Sequence, residues 1–194
     1  LNFVIGLFNQ VGFSLWIEII KFILILDFCI WLQHLLTHKI EFLWRIHRVH
    51  HSDTEMDIST AIRFHPIEIA LSMALKIGLV YILGADPLSV LIFEVLLNGS
   101  SIFNHANINI PNRFDKILRF LIVTPDMHRI HHSSDRIEHD TNFGFALSIW
   151  DHMFRTYKLR PERNHKEMEI GLNWQDEKPE KLGWSLSLPF KKNG

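Results

Sequence analysis

The chain has 194 residues, enough for one domain, and 47% of them are apolar. Its 20 basic and 21 acidic residues nearly cancel, which leaves no electrostatic case for nucleic acid. A single cysteine, Cys29, excludes an intramolecular disulfide and a cysteine-based metal site.

The chain begins at Leu1 without the basic, apolar and small-residue layout of a signal peptide, and it is expected to lack an upstream segment. Residues 15–33 form the first strongly apolar stretch, long enough to cross a bilayer with some tilt. Glu18, Lys21 and Asp27 lie inside it, and such charges are costly in lipid unless they face protein or a cavity. Residues 67–83 and 88–104 are two further apolar helices. The short turn Gly84-Ala85-Asp86-Pro87 makes them an antiparallel hairpin. Lys39, Arg45, Arg48 and Arg63 follow the first stretch, and Arg113, Lys116 and Arg119 follow the hairpin, whereas the turn carries no basic residue. The positive-inside rule then predicts that 39–66 and everything after 105 face the cytoplasm. From about residue 158 the chain is polar and broken by Pro, and a solvated tail is expected there. The expected fold is all-α: a membrane helical bundle of about three to four spans, including the hairpin, with a cytoplasmic helical cap. A soluble bundle with long buried helices is the alternative, and the polar residues inside the apolar stretches keep it open.

The compositional outlier is histidine, with 13 copies. Spacing gives them meaning. His34 and His38 form an HxxxH pair, and His47-Arg-Val-His50-His51 and His128-Arg-Ile-His131-His132 are two HxxHH boxes. Positions i, i+3 and i+4 share one side of a helix, so each box presents three imidazoles together. At this histidine content an HxxHH is expected by chance on the order of 0.06 times per chain, so two copies argue for selection of the pattern. Eight imidazoles are too many for one ion and suit two, and nitrogen-only ligation accepts iron, zinc or copper. His105, at the end of the third apolar helix, is placed as a ninth ligand. His65 before Pro66 has a helix-start role or a site role, His139 is expected to line the site, and His152 and His165 are expected at the surface or in structural contacts. A metal-bound histidine usually gives its other N–H to a carboxylate or carbonyl. Asp27, Asp53, Asp140, Asn142 and Asp151 are the candidates to orient the ligands.

These residues resemble the fatty acid hydroxylase and sterol desaturase superfamily of membrane histidine-box enzymes. The resemblance lies in LWRIHRVHHSD (43–53), AIRFHPIE (61–68), FNHANI (103–108), TPDMHRIHHS (124–133), DTNFG (140–144) and WDHMFRTY (150–157), and covers roughly 25–157. Acyl-CoA desaturases share such boxes but hold the first two much further apart. Two positions depart from the family pattern. Leu35 stands where an Arg is usual in the first box, and Ser101 stands where fatty acid 2-hydroxylases carry a further histidine. The second departure favours the sterol or ether-lipid branches.

The resemblance implies two iron ions, with zinc as the substitute metal, O2 as cosubstrate and an external electron-donor protein. It further implies hydroxylation or desaturation of a C–H bond in a lipid, sterol-like or ether-lipid substrate drawn from the bilayer. Residues 1–157 would then be the membrane di-iron oxygenase domain and 158–194 a polar extension. Three other readings stay open: a membrane metal transporter or metal-binding protein, a zinc-dependent hydrolase, and, because of Leu35, an inactive relative. Transport wants exchangeable sites along a path, and a hydrolase wants an open metal position with a carboxylate base, of which no HExxH motif gives a sign.

Overall fold

A computed structural model describes residues 6–165, 167–174 and 178–192. Three long helices set the frame: α2 (Leu15–Lys39), α4 (Pro66–Leu83) and α5 (Pro87–His105), with a short α1 (Leu7–Val11) before them. Shorter helices follow the ends of this frame: α3 (Glu41–His51), α6 (Asn112–Leu118), α7 (Pro125–His131), α8 (Arg136–His139), α9 (Ile149–Phe154) and α10 (Leu182–Ser187). Among the described residues there is no strand, and only two isolated bridges, Ile122 to Leu147 and Ser133 to Ile170, tie loops together. The fold is all-helical, as expected.

The hairpin forms for local reasons. α4 stops at Gly84, whose φ of 67° is the left-handed conformation that glycine adopts without strain. A side chain there would also collide with Asn9 and Gly6 at the start of α1. Asp86 then caps α5 by accepting from the Leu88 N–H, and Pro87 fills the first helical position. Glu18 of α2 accepts from the Asp86 N–H, so the start of α2 lies at the hairpin turn. α2 therefore runs parallel to α5 and antiparallel to α4. Phe22, Leu26 and Ile30 of α2 pack with Phe8, Leu83 and Phe93 to form the core at this end.

Among the described residues, only α4 and α5 meet the length and composition limit for crossing a membrane. The stretch at 15–33, also expected to be a span, forms α2, which carries Glu18, Lys21 and Asp27 and is not among the helices that meet this limit. Each of those charges is partnered: Glu18 at Asp86, Lys21 over the Phe13 ring, and Asp27 at Trp150. The hairpin helices are mostly uncovered. Only 11% of the apolar stretch of α4 and 22% of that of α5 is buried, whereas the core helix of a soluble bundle is mostly buried.

The tail differs from the solvated extension expected of its composition. Trp184 and Leu188 are buried against Val49 of α3. Arg48, itself buried, donates to the carbonyls of Leu188 and Lys191, and Arg63 donates to that of Pro179. Two aromatic or aliphatic side chains and a row of carbonyl acceptors suffice to dock an otherwise polar segment.

Candidate metal centre

The nine expected histidines meet at the end of the frame opposite the hairpin turn. Ring nitrogens of His34, His38, His47, His51 and His131 lie within 4.8 Å of one another, and those of His50, His105, His128 and His132 form a second group under the same limit. All nine are at most 5% exposed.

One helical rule sorts them. His34/His38, His47/His51 and His128/His132 are i,i+4 pairs, and each pair stays within one group. His50 and His131, at i+3 in their boxes, cross to the other group. At about 100° per residue, i+4 lies about 40° to one side of i and i+3 about 60° to the other. Each HxxHH box therefore straddles both groups, its three imidazoles on one side of the helix divided between two sites.

The tautomers follow from the partners. His34 Nδ1 faces the Phe143 carbonyl at 2.7 Å, His131 Nδ1 that of Thr141 at 2.7 Å, and His105 Nδ1 that of Ser101 at 2.7 Å. His50 Nδ1 reaches the Arg63 carbonyl at 3.3 Å. A carbonyl only accepts, so each of these Nδ1 atoms carries the proton and each Nε2 presents a bare lone pair. His47 Nδ1 lies 2.6 Å from Glu68 Oε1 and donates to that carboxylate. The bare Nε2 atoms then converge. His34 and His47 approach to 3.2 Å, and His105 and His50 to 3.2 Å, while Nε2 of His132 and of His128, whose Nδ1 atoms have no partner among the described residues, lie 3.3 and 3.1 Å from that of His105. Lone pairs at that distance repel unless a cation lies among them. Metal–nitrogen bonds of about 2.1 Å set donor separations of about 3.0–3.4 Å at octahedral or tetrahedral angles.

Further ring nitrogens are buried without a hydrogen-bond partner, among them both nitrogens of His38 and of His51 and Nε2 of His131. Burial and the neighbouring imidazoles push His50, His51, His128, His131 and His132 well below the ordinary histidine range, which keeps them neutral. Neutral imidazole is the form that binds metal. The donor set therefore fits two metal ions, and neither group contains a carboxylate.

The expected supporting residues behave unequally. Asp140 reaches closest, with Oδ1 3.7 Å from His38 Nδ1, too long for a hydrogen bond, while its other oxygen binds Lys39. His139 joins His38 and Asp140 in a third, partly exposed cluster and stacks on Trp44. Asp151 acts at one remove. Its Oδ1 accepts from the Phe143 N–H, Trp31 and Thr156, and its Oδ2 from the Gly144 N–H, which fixes the loop whose Phe143 carbonyl holds His34. Asp53 accepts from Thr60 and pairs with Arg63, whose carbonyl holds His50. Asn142, in the left-handed region at φ 57°, ties the Met127 and Lys158 carbonyls and the Lys158 N–H. Asp27 accepts from Trp150 and the Ala146 N–H and touches none of the nine rings among the described contacts. The carboxylate that does hold a ring is Glu68, which sequence reading did not single out. Its signal lay in the AIRFHPIE run, where it opens the first turn of α4.

The remaining histidines have local work. His65 caps α4 by accepting from the Ile67 N–H, and His152 donates to the Arg119 carbonyl. His165 lies outside both groups.

A cavity of about 340 Å³ opens among α2, α4 and α5. His34, His47 and Glu68 line one end of it, so the first histidine group, and not only its surroundings, faces the space between the hairpin helices.

An all-helical frame with two apolar helices and two buried nitrogen-only metal-binding groups defines a histidine-box membrane protein. The chain belongs to the fatty acid hydroxylase family: the family model described as "Fatty acid hydroxylase" matches residues 19–156. It is 30% identical over 154 residues to an ornithine lipid hydroxylase of Rhizobium tropici, covering 79% of this chain and 45% of that protein. Alkylglycerol monooxygenase of Homo sapiens is 28% identical over 137 residues, covering 71% and 30% respectively. Cholesterol 25-hydroxylase of Rattus norvegicus is 28% identical over 142 residues, covering 72% and 46%. The chain thus spans less than half the length of each of these three relatives. No solved structure matches it.

Proposed function

We propose that this chain is an O2-dependent membrane oxidoreductase that hydroxylates, or desaturates, a C–H bond of a lipid at a two-iron centre held by His34, His38, His47, His51 and His131 on one side and His50, His105, His128 and His132 on the other. The observation that carries it is the convergence of bare Nε2 lone pairs in two buried groups, His34 with His47 and His105 with His50, the first of which faces a cavity between apolar helices. The relatives' names support the reaction class, since they act as hydroxylases or monooxygenases on ornithine lipid, alkylglycerol or cholesterol. Iron, reduced by an external donor protein, would supply O2 activation and hydrogen abstraction.

The chain's own residues do the rest. Glu68 keeps the His47 Nδ1 proton in place and so keeps Nε2 available. The carbonyls of Phe143, Thr141, Ser101 and Arg63 do the same for His34, His131, His105 and His50. Glu68 Oε2 and Gln33 Oε1 are buried acceptors on the cavity wall with no protein donor, suited to hold a water or a substrate hydroxyl beside His47. Apolar side chains make up most of the rest of the wall, which suits an aliphatic chain. A metal transporter would need exchangeable sites along a path, and nine imidazoles at 5% exposure or less argue for a fixed cage.

In this reading α2 lies in the membrane beside the hairpin, the histidine end faces the cytoplasm, and residues 1–157 form the oxygenase domain with 158–194 docked on it. Lys39, Arg45, Arg113 and Lys116 near the histidine end, against a hairpin turn without basic residues, support that orientation. The test is metal analysis of the anaerobically purified chain, then O2 consumption with a lipid extract. About two irons per chain and a lipid product gaining one oxygen atom are expected. Zinc alone, with hydrolytic turnover and no O2 use, would overturn the proposal.

A further inference from the structure

The cavity has a second polar pole, far from the histidines. Lys76 of α4 and Glu94 of α5 meet across the hairpin with Nζ and Oε1 2.6 Å apart, and both line the cavity. Asn98 lines it too; its Nδ2 donates to the Glu94 carbonyl at 2.7 Å and reaches Glu94 Oε2 at 3.4 Å. An ion pair inside two apolar helices is costly to desolvate, and apolar side chains would hold the hairpin at least as well. Stability alone therefore does not account for it. The pair is also not sealed off: the Glu94 side chain is 35% exposed and that of Lys76 is 12% exposed.

The depth of the cavity follows from the helices. Lys76 stands eight residues beyond Glu68, about 12 Å along α4, and Glu94 seven residues before Ser101, about 10 Å along α5. One end of the cavity is thus set by His34, His47 and Glu68, and the other, about 10–12 Å away along the helices, by the Lys76 ammonium and the Glu94 carboxylate, with the Asn98 amide one turn nearer.

We propose that Lys76, Glu94 and Asn98 determine substrate choice, by holding an uncharged or zwitterionic hydrogen-bonding group of a lipid about 10–12 Å from the carbon that meets the first histidine group. The proposal rests on the reading of that group as a lipid-oxidising centre. Charge fixes the class of ligand. The pair is net neutral, so a lone carboxylate or phosphate meets Glu94 and a lone ammonium meets Lys76. A hydroxyl, an amide or a zwitterion satisfies both partners, since an ammonium has three protons to give and a carboxylate accepts several.

The test is equilibrium binding of three isotopically labelled probes of equal chain length to the iron-loaded chain in detergent: monopalmitoylglycerol, palmitate and hexadecylamine. The wild type is expected to prefer monopalmitoylglycerol. Lys76→Met, which leaves Glu94, should shift preference toward hexadecylamine, and Glu94→Gln toward palmitate. Each shift should be roughly tenfold, the loss or gain of one charge-assisted hydrogen bond. Where a single variant fails to fold, the exchange K76E/E94K restores a neutral pair and should keep the preference for monopalmitoylglycerol. A wild-type preference for either ion, or an unchanged preference in folded single variants, overturns the proposal. Binding is read without turnover, so iron content and O2 use succeed or fail separately from it.

Discussion

The two histidine groups have similar chemistry and different surroundings. The first holds five imidazoles, faces the cavity, and has one ring backed by a carboxylate, His47 on Glu68. The second holds four; His105 and His50 are backed by carbonyls, and none of the four lines the cavity. A carboxylate raises the basicity of its ring more than a carbonyl does. Under the proposed function the difference would separate two tasks, the first group meeting substrate and the second completing the pair from behind.

Deleting ligands should break that comparison most strongly. His132→Ala leaves three neutral donors in the second group and is expected to weaken iron there so that content falls from about two per chain toward one, with oxygenation abolished because the pair of ions is incomplete. His38→Ala leaves four in the first group and should keep both irons while lowering turnover. Metal content by mass spectrometry, with lipid product counted in parallel, decides; equal iron loss in both variants would erase the distinction.

Acid should act on both groups. The folded-state values of His50, His51, His128, His131 and His132 are depressed, so the unfolded chain binds more protons once pH falls below the ordinary value of 6.5. Stability is then fully present above that value and is lost as pH drops beneath it. The metal-free chain is expected to unfold on acidification at a higher pH than the iron-loaded chain, because bound metal holds the imidazoles neutral. Circular dichroism against pH measures both midpoints, and coincident midpoints would count against metal binding at these rings.

Glu68→Gln sharpens the comparison. Losing the carboxylate behind His47 should weaken metal at the first group by about 10–100-fold, and at the second by less, through the helical turns the two groups share. Competition with a chelator, followed by the metal's optical spectrum, reads the two sites apart. The smallest effect is expected for Thr60→Val. It removes the hydroxyl that donates to Asp53 and accepts from the Asp57 N–H, two steps from His50. About 1–2 kcal/mol of stability should go, with little change in metal affinity, as thermal melting and the same competition would report.

Much of the site was legible because helical spacing is short-range. All nine histidines carried i,i+3 or i,i+4 patterns or, for His105, a place at the end of an apolar helix. Glu68 was not legible that way. It lies 21 residues from His47, and only the return of α4 past α3 brings them together. The backbone acceptors at Phe143, Thr141, Ser101 and Arg63 have no side-chain signature at all. Asp27 and Asp151 stand out in the sequence as candidates to orient the histidines, but what they bind (indole and backbone N–H groups of the 143–146 loop) depends on the packing of α2 against that loop. In the fold, the hairpin was plain from Gly84 and Pro87, whereas the docked tail was hidden in a polar segment whose anchors are Trp184 and Leu188.

The straddling boxes make metal loading a linked equilibrium. α3 sends His47 and His51 to one group and His50 to the other, and the third box divides its histidines in the opposite sense. An ion captured on one side immobilises the same helical turns that carry ligands for the other. The second ion thus meets donors whose ordering cost has already been met, which is positive cooperativity with no change of shape required. Substoichiometric iron should therefore yield a mixture of empty and doubly filled chains, with few holding a single ion.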